Sequence, residues 1–399
     1  MMLSLAFVVA AALAAAPALA QESIKVGVLV SQSPPGSVIQ GTEVSRGLEI
    51  MKDFINAGGG VLGRPIELLY EDSAGLPERG RSGAEKLITA DNVVALTGGH
   101  QSSVVLAEIE VAHRYGVPYV NVNGWADAIR QPRYPEVFNP SPWNSLVSEA
   151  MARVIAGMGV KSVVTYAENT DYGIGQAEIL GRMLEQLAPD VAYEFHVIDR
   201  QAADYVPVLL PLRRNLPEMV VTIALPPYGY RLVNQLYELG IAPSPRTWLF
   251  EGAGISDYPD FWSSVGPAAE SMLALGFYHP DMQLTEMGDA VVAEYMRRHG
   301  GAPSRLVLQA ADALLVIARA IEAAGSTDRQ AVIQAMGEVA VEGTRGTMTF
   351  PQAEDPLFQQ WTDIPYVVYQ FTQVDQTLEK ATLIMGPGQP LDVGKLQRP

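Results

Sequence analysis

The chain has 399 residues, no cysteine and a formal net charge of −17, from 44 acidic and 27 basic side chains. The lack of cysteine excludes disulfides, thiolate metal sites and thiol nucleophiles, and the acidic balance argues against nucleic acid or an anionic membrane surface as a partner. The five histidines are scattered without an HExxH motif or paired spacing, so we predict neither a metal nor a cofactor.

Residues 1–20 have the features of a removable export signal. The segment is uncharged and apolar and ends in Ala18-Leu19-Ala20, a small-residue cleavage pattern. We expect cleavage after Ala20, although the first residues lack the Lys or Arg of a usual signal, which leaves the true start codon open. An uncleaved membrane anchor is the alternative, and Pro17 together with the cleavage pattern disfavours it.

Strands and helices alternate four times after this segment. Near-continuous apolar runs predict strands at 24–30, 65–71, 93–97 and 118–122, and helical spacing predicts helices at 44–55, 77–90 and 102–115. The loop at 31–41 contains Pro34-Pro35-Gly36 and is expected to be irregular. This alternation is typical of a doubly wound parallel sheet.

A proline-containing stretch at 126–143 then predicts an extended crossover, after which the alternation starts again. Helices are predicted at 144–158, 175–187, 205–215 and 230–239, and strands at 162–166, 191–198, 219–224 and 247–250. The last third is different, with a strand at 271–278, helices at 285–299, 304–324 and 328–336, and strands at 347–350 and 366–371. The helix from Ser304 is apolar nearly all round and is expected to be buried.

These elements predict an α/β protein with two doubly wound lobes joined by a three-segment hinge. The first lobe is assigned to residues 21–140 plus 276–347, and the second to residues 141–275 plus 348–399. The three crossovers are expected near 139–143, 272–277 and 347–351, and several parallel connections permit hinge closure.

Turn residues cluster after the third and fourth strands of the first lobe, at Gly98-Gly99 and Asn123-Gly124. The carboxyl ends of parallel strands form the edge where such sheets bind ligands. Ser102 and Ser103 follow at N-cap positions of the next helix, where a hydroxyl and free backbone N–H groups suit an anion. The alternative is that Ser102 only caps its helix.

The chain resembles the type I periplasmic solute-binding proteins, in the leucine/isoleucine/valine-binding branch that serves ABC transporters. The resemblance covers nearly all of the mature chain, and its carriers are IKVGVLVSQSPPGSVIQGTEVSRGLEIMKDFINAGGGVLGRPIELLYEDS from residue 24, ENTDYGIGQAE from residue 168 and WLFEGAG from residue 248. It implies two lobes that close on a small ligand, usually an amino acid, and deliver it to a membrane permease.

The resemblance assigns first-lobe ligand contacts. The family's ligand carboxylate binds a serine that matches Ser102, next to Gln101, and Gly124 matches a small residue that follows the fourth strand. Trp125 stands where the family has a threonine, and Gln40 stands where a tryptophan often flanks the ligand side chain. Both departures point to an altered ligand, while a packed core tryptophan is the alternative for Trp125.

The second lobe is expected to supply aromatic and acidic groups. Tyr172, in Asp171-Tyr172-Gly173, matches the tyrosine of a YG turn, and Tyr228 is the nearest match to a further tyrosine. Glu251 matches the family's acidic partner of the ligand ammonium. A carboxylate buried after an apolar strand is costly unless it is paired, so a cationic partner is expected. A plain turn residue and a solvated loop glutamate are the respective alternatives for Tyr172 and Glu251.

The expected function is that of a periplasmic substrate-binding component of an ABC importer, with permease subunits as partners and an amino acid as ligand. An aromatic carboxylate or a urea-like amide is the alternative ligand, and a ligand-sensing receptor domain is the alternative role. No GxSxG elbow, P-loop or HExxH motif is found, so no enzymatic activity is predicted.

Overall fold

The computed structural model describes residues 22–354 and 356–399. The predicted export signal at 1–20 and its cleavage site lie outside these residues. Among the helices in the described ranges, none combines the length and the hydropathy that crossing a bilayer requires.

The first lobe is built on a five-stranded parallel sheet. Its strands are β1 (Ile24–Val30), β2 (Ile66–Asp72), β3 (Ala95–Thr97), β4 (Tyr119–Val120) and β5 (Val137–Phe138), in the order β2-β1-β3-β4-β5. The connecting helices are α1 (Val38–Ala57), α2 (Pro77–Thr89) and α3 (Ser102–Tyr115). Because the strand order reverses beside β1, the carboxyl ends of β1 and β3 border a crevice where a ligand can bind.

The second lobe is built on a seven-stranded sheet. The parallel strands are β6 (Ser162–Glu168), β7 (Ala192–Ile198), β8 (Met219–Ile223), β9 (Trp248–Glu251) and β10 (Leu273–Gly276), and β13 (Val367–Gln370) and β14 (Thr382–Met385) add an antiparallel edge. Its helices are α4 (Asn144–Met158), α5 (Asp171–Leu187), α6 (Val206–Leu209), α7 (Tyr228–Glu238) and α8 (Phe261–Val265).

The last third of the chain returns to the first lobe. It contains α9 (Glu286–His299), α10 (Arg305–Ala324), α11 (Arg329–Glu338) and the hairpin of β11 (Val341–Glu342) and β12 (Thr347–Met348). Helix α10 packs on α1, β3 and β4 and is buried along nearly its whole length, as its all-round apolar pattern predicted. The chain therefore crosses between the lobes at 139–143, 277–285 and 349–366.

The predicted α/β architecture of two doubly wound lobes is confirmed, while the residue boundaries of the lobes stay a prediction. Three local expectations were wrong. The second crossover does not lie at 272–277, because residues 273–276 form β10 and pair with β9 and β13. Helix α1 begins at Val38 and includes Gly41, whereas the prediction started the helix after Gly41. A glycine is needed at this position in the helix because a Cβ would approach the Ser31 carbonyl oxygen to 2.1 Å. The stretch 126–143 is not only a crossover, since β5 within it pairs with β4 as an edge strand.

Candidate functional site

A small gap with a cavity volume of about 10 Å³ lies between the two lobes. Four lining residues come from the first lobe and three from the second: His100, Ser102, Asn123, Trp125, Tyr172, Leu225 and Ala253. All lie just beyond the carboxyl ends of strands, the position expected for a ligand site in parallel sheets. Of the predicted residues, Ser102, Trp125 and Tyr172 line this gap.

Ser102 is the first residue of α3, and its hydroxyl is oriented by the neighbouring turn. Its Oγ accepts the backbone N–H groups of Trp125 at 3.1 Å and Ala126 at 3.0 Å. Since a hydroxyl oxygen has two lone pairs, the O–H remains free to donate. The N-cap is Gln101, which makes no side-chain capping bond, so the expectation that Ser102 or Ser103 occupies the cap position was wrong. A donor hydroxyl at an uncapped helix N-terminus suits an anion.

Gly124 and Gln101 support the turns that carry the site. The Gly124 N–H donates to Asn121 Oδ1 at 2.7 Å, and its carbonyl accepts from Asn121 Nδ2 at 2.8 Å. Gln101 Oε1 accepts the Ser31 hydroxyl at 2.9 Å. Both residues therefore stabilise turns of the first lobe, and neither lines the gap.

Trp125 forms an aromatic wall of the gap and is 2% exposed. Its ring meets Tyr172 edge to face at a centroid distance of 5.8 Å and Phe277 at 5.4 Å. The indole N–H donates to Asn123 Oδ1 at 2.8 Å. Because this N–H is already engaged, Trp125 offers a ligand a flat apolar surface.

Tyr172 faces Trp125 from the second lobe. It lies in the first turn of α5, which begins at Asp171 behind a Thr170 cap, so the sequence analysis was wrong to place it in a turn before the helix. The phenol hydroxyl lies 3.4 Å from the Gly252 carbonyl oxygen. Burial raises the pKa of the phenol well above its usual value, so it stays a neutral hydrogen-bond donor.

His100 is a lining residue that the sequence analysis did not identify as a site residue. Its Nδ1 lies 3.2 Å from the Gly98 carbonyl oxygen, and because a carbonyl only accepts, Nδ1 carries the hydrogen. Burial lowers the pKa of the imidazole to about 4, which keeps it neutral at pH 7. Its Nε2 is buried and has no partner among the described residues, so it can accept a hydrogen bond from a ligand.

Glu251 is the last residue of β9 and is fully buried. Its Oε1 accepts the backbone N–H groups of Ala253 at 2.5 Å and Ile255 at 3.0 Å, and Ser256 Oγ lies 3.4 Å from Oε2. Burial raises the pKa of this carboxyl to about 7, against the lowering effect of these N–H bonds and of Arg305. The carboxylate thus holds its own loop, and it adjoins the gap through Ala253.

Arg305 connects the lobes and was not predicted. It is the first residue of α10, and its Nη1 lies 2.7 Å from Asp257 Oδ1 on the loop after β9. Asp257 Oδ2 also accepts the Arg305 backbone N–H at 2.8 Å, so a carboxylate of the second lobe caps a helix of the first. The sequence signal is weak: an arginine at a helix start is unfavourable for the helix dipole and calls for an acidic partner.

Three further hydrogen bonds close the lobes against each other. Gln40 Nε2 donates to Tyr258 OH at 2.8 Å, the Tyr228 hydroxyl donates to the Pro35 carbonyl at 3.1 Å, and Ser103 Oγ donates to Asp171 Oδ2 at 2.6 Å. The predicted residues Gln40 and Tyr228 therefore take part in contacts between the lobes and do not line the gap itself.

The crossovers are held together beside the site by Arg130. This buried side chain donates to Gln360 Oε1 at 2.6 Å, Ser141 Oγ at 3.2 Å and the Pro142 carbonyl at 3.1 Å. It therefore joins the first crossover to the third. Burial lowers the pKa of Arg130 to about 10, so the guanidinium is charged at neutral pH.

A larger groove lies away from the gap, between α1, α9 and α10. It is open to solvent and is lined by the first lobe alone, so it lacks polar groups that converge from both lobes. Within the described residues, no group of His, Asp or Glu side chains is arranged to hold a metal ion.

Residues 23–362 match the family described as Periplasmic binding protein. The Leu/Ile/Val-binding protein homolog 7 of Brucella abortus (strain 2308) is 26% identical over 357 residues, which cover 85% of this chain and 87% of that protein. Two solved structures share the fold. A leucine-binding protein from Thermotoga maritima has a TM-score of 0.80 at 21% identity, with 90% of this chain and 98% of that chain covered.

A solute-binding protein of an ABC transporter from R. palustris, in complex with benzoate, has a TM-score of 0.79 at 20% identity, with 93% and 97% covered. The family match covers the first lobe, most of the second lobe and all the residues that line the gap. The chain therefore belongs to the periplasmic binding protein family and has the type I fold.

Proposed function

We propose that the mature protein is an exported, non-catalytic receptor that traps a small carboxylate in the interlobe gap and delivers it to an ABC permease in the inner membrane. The observation that carries this proposal is the free O–H of Ser102 at the uncapped N-terminus of α3. A carboxylate there would accept this hydroxyl and the first backbone N–H groups of the helix, and closure of the lobes would exclude water and strengthen both interactions.

The wall of the gap supports a ligand with a flat or apolar body. Trp125 and Tyr172 face each other across the lobes, Leu225 and Ala253 add aliphatic surface, and neutral His100 adds a hydrogen-bond acceptor. Its cavity volume of about 10 Å³ is far below the roughly 300–1,000 Å³ of most ligand sites, so the lobes have to part to admit a ligand. An aromatic acid of the benzoate type fits these properties best.

An amino acid is the second candidate, and it is the ligand that the sequence favoured first. It would need Glu251 to bind the ammonium, and the family includes a structure from Streptococcus pneumoniae in complex with isoleucine. Against it, three hydrogen-bond donors of its own loop already engage the Glu251 carboxylate. We therefore place an amine-free carboxylate before an amino acid.

Thermal unfolding of the mature protein with a panel of ligands tests the proposal. Benzoate, 4-hydroxybenzoate, leucine and isoleucine are compared with benzamide and benzyl alcohol, which keep the ring and lack the carboxylate. A ligand present at a hundred times its Kd stabilises the folded state by about 2.7 kcal/mol, which is readily measured. We expect stabilisation by carboxylates alone, and no response to any carboxylate would contradict the proposal.

Transport is tested separately from binding. Deletion of the coding sequence should abolish uptake of the ligand by intact cells while leaving permease levels unchanged. Loss of a transcriptional or chemotactic response with normal uptake would instead indicate the alternative sensing role. Recovery of the bound ligand unchanged after long incubation would fit a receptor without catalytic activity.

A further inference from the structure

The second lobe contains an acidic recess directly beside the gap. We use this name for the carboxylates of Glu251 and Asp257, the carbonyls of Ala253 and Gly254, and the hydroxyl of Tyr258. Ala253 belongs to both the recess and the wall of the gap. Hydrogen-bond acceptors and negative charge thus converge on one place next to the bound ligand.

The guanidinium of Arg305, from the first lobe, fills this recess. It binds Asp257 Oδ1, the Tyr258 hydroxyl at 2.9 Å, the Gly254 carbonyl and the Ala253 carbonyl at 3.4 Å. The side chains of Arg305 and Asp257 are only 1% and 3% exposed. The recess therefore already holds a cation that belongs to the protein.

The backbone of the recess has room for this cation at one position in particular. Gly254 has a φ of +65°, and a Cβ there would lie 2.6 Å from the guanidinium carbon of Arg305. The guanidinium also lies over two aromatic rings, 5.4 Å from the Trp125 centroid and 5.3 Å from the Tyr258 centroid. Glycine, aromatic faces and acceptors together make a site with the shape and polarity of a guanidinium.

The positive charge of Arg305 disfavours a ligand ammonium in the acidic recess. The negative charge of Asp257 is compensated by Arg305, and the Glu251 carboxylate is engaged by its own loop. A second cation close to the guanidinium would be repelled more strongly than in water, because the surroundings are buried and of low dielectric. A ligand carboxylate at Ser102 does not face this repulsion.

We propose that Arg305 is a specificity-determining residue, which occupies from the first lobe the place that a ligand ammonium would take and so selects carboxylates without an amino group. The inference rests on the proposed function, since it assumes that the gap binds a carboxylate. Arg305 would provide a selectivity against the amino group that Trp125 alone does not provide, because the indole ring can contact ligands with and without an amino group.

Calorimetry with ligand pairs that differ only in the amino group tests this role. Leucine is compared with 4-methylpentanoate, and phenylalanine with 3-phenylpropionate. The wild type should bind the amine-free member of each pair at least tenfold more tightly. In Arg305→Met the recess keeps its acids and loses its cation, so this ratio should fall at least tenfold or reverse.

Three variants distinguish an effect of charge from an effect of a loosened cleft. Arg305→Lys keeps a cation and should keep the preference for the amine-free member. The double variant Arg305→Met/Asp257→Asn loses both charges and should recover part of the preference, whereas a merely loosened cleft would not respond to the second substitution. Asp257→Asn alone should widen the preference, and it gives a result even where Arg305→Met fails to fold.

The outcomes distinguish this inference from the proposed function. If the wild type binds neither member of either pair nor any benzoate, the proposed function fails. If it binds amine-free acids but Arg305→Met, with a cooperative thermal transition, keeps the wild-type ratio, the inference alone is overturned. A wild-type preference for leucine and phenylalanine, or an unchanged ratio in Asp257→Asn, also overturns it.

Discussion

The hydroxyl oxygen of Ser102 accepts the backbone N–H of Trp125 at 3.1 Å, which joins the start of α3 to the turn after β4. With the Ala126 N–H as second donor, both lone pairs of the hydroxyl are engaged. The hydroxyl hydrogen is thereby left free to donate, as the proposed carboxylate site requires.

Replacing Ser102 by alanine should weaken binding of a carboxylate ligand by about 10- to 150-fold. This corresponds to about 1.5–3 kcal/mol for a hydrogen bond to a charged group. Titration calorimetry with the tightest ligand of the thermal panel measures the change. Ser103→Ala is the matched control, because Ser103 bonds to Asp171 at the edge of the closed lobes, and it should change the affinity only a few-fold. Equal losses in the two variants would remove Ser102 from the ligand site.

Glu251→Gln should change how stability depends on pH. Burial raises the pKa of Glu251 from 4.5 to about 7, so between these values the folded state binds more protons than the unfolded state. The free energy of unfolding of the wild type should therefore fall, relative to the variant, as the pH rises from about 4.5 to about 7. The difference is at most about 3 kcal/mol.

Urea unfolding of the wild type and Glu251→Gln at several pH values measures this difference. The glutamine amide oxygen can still accept the loop N–H groups, so the loop is retained. An exposed residue on α5 supplies the control, since Glu185→Gln should follow the wild-type curve. Parallel curves for wild type and Glu251→Gln would show that the buried carboxyl does not titrate in this range.

Trp125→Phe should abolish most of the change in tryptophan fluorescence that accompanies ligand binding. Trp125 is one of five tryptophans and the one that lines the gap, so its surroundings change most when a ligand enters. The substitution should also cost about 1–3 kcal/mol of stability, since it removes part of a buried ring system. Trp262→Phe, in the aromatic cluster with Phe261 and Phe371, lowers the total emission but should keep the ligand response.

Tyr228→Phe should speed ligand release about 2- to 10-fold and leave the association rate nearly unchanged. It removes one hydrogen bond between the lobes, to the Pro35 carbonyl, which is worth about 0.5–1.5 kcal/mol, and contacts of this kind act mainly on dissociation. Stopped-flow displacement measures both rates. Tyr237 lies on the same helix and is 43% exposed, so Tyr237→Phe should match the wild type.

The sequence carried enough information to predict the architecture and three of the residues that line the gap, Ser102, Trp125 and Tyr172. Continuous apolar runs between amphipathic helices are a local signal, so the two lobes could be predicted, and the position of Ser102 followed from a strand that ends in Gly98-Gly99. The helix starts were harder to predict. Tyr172 and Gly173 resemble a turn but lie in the first turn of α5, behind the Thr170 cap, and Gly41 lies inside α1 although glycine often marks a loop.

The contacts between lobes could not be predicted in the same way. Arg305 lies 48 residues from Asp257 in the chain, and the pair forms only when a helix of one lobe meets a loop of the other. Glu251 could be recognised as a buried acid, but the donors that engage it belong to the conformation of its own loop. Local patterns do not encode either arrangement.

The side chain of Arg130 has a consequence for how a guest can be admitted. Since it fastens the first connection to the third through Ser141 and Gln360, these two strips cannot slide past each other without leaving a buried cation unsatisfied. An opening motion that keeps these bonds would therefore be a rotation of one lobe against the other about the connecting segments.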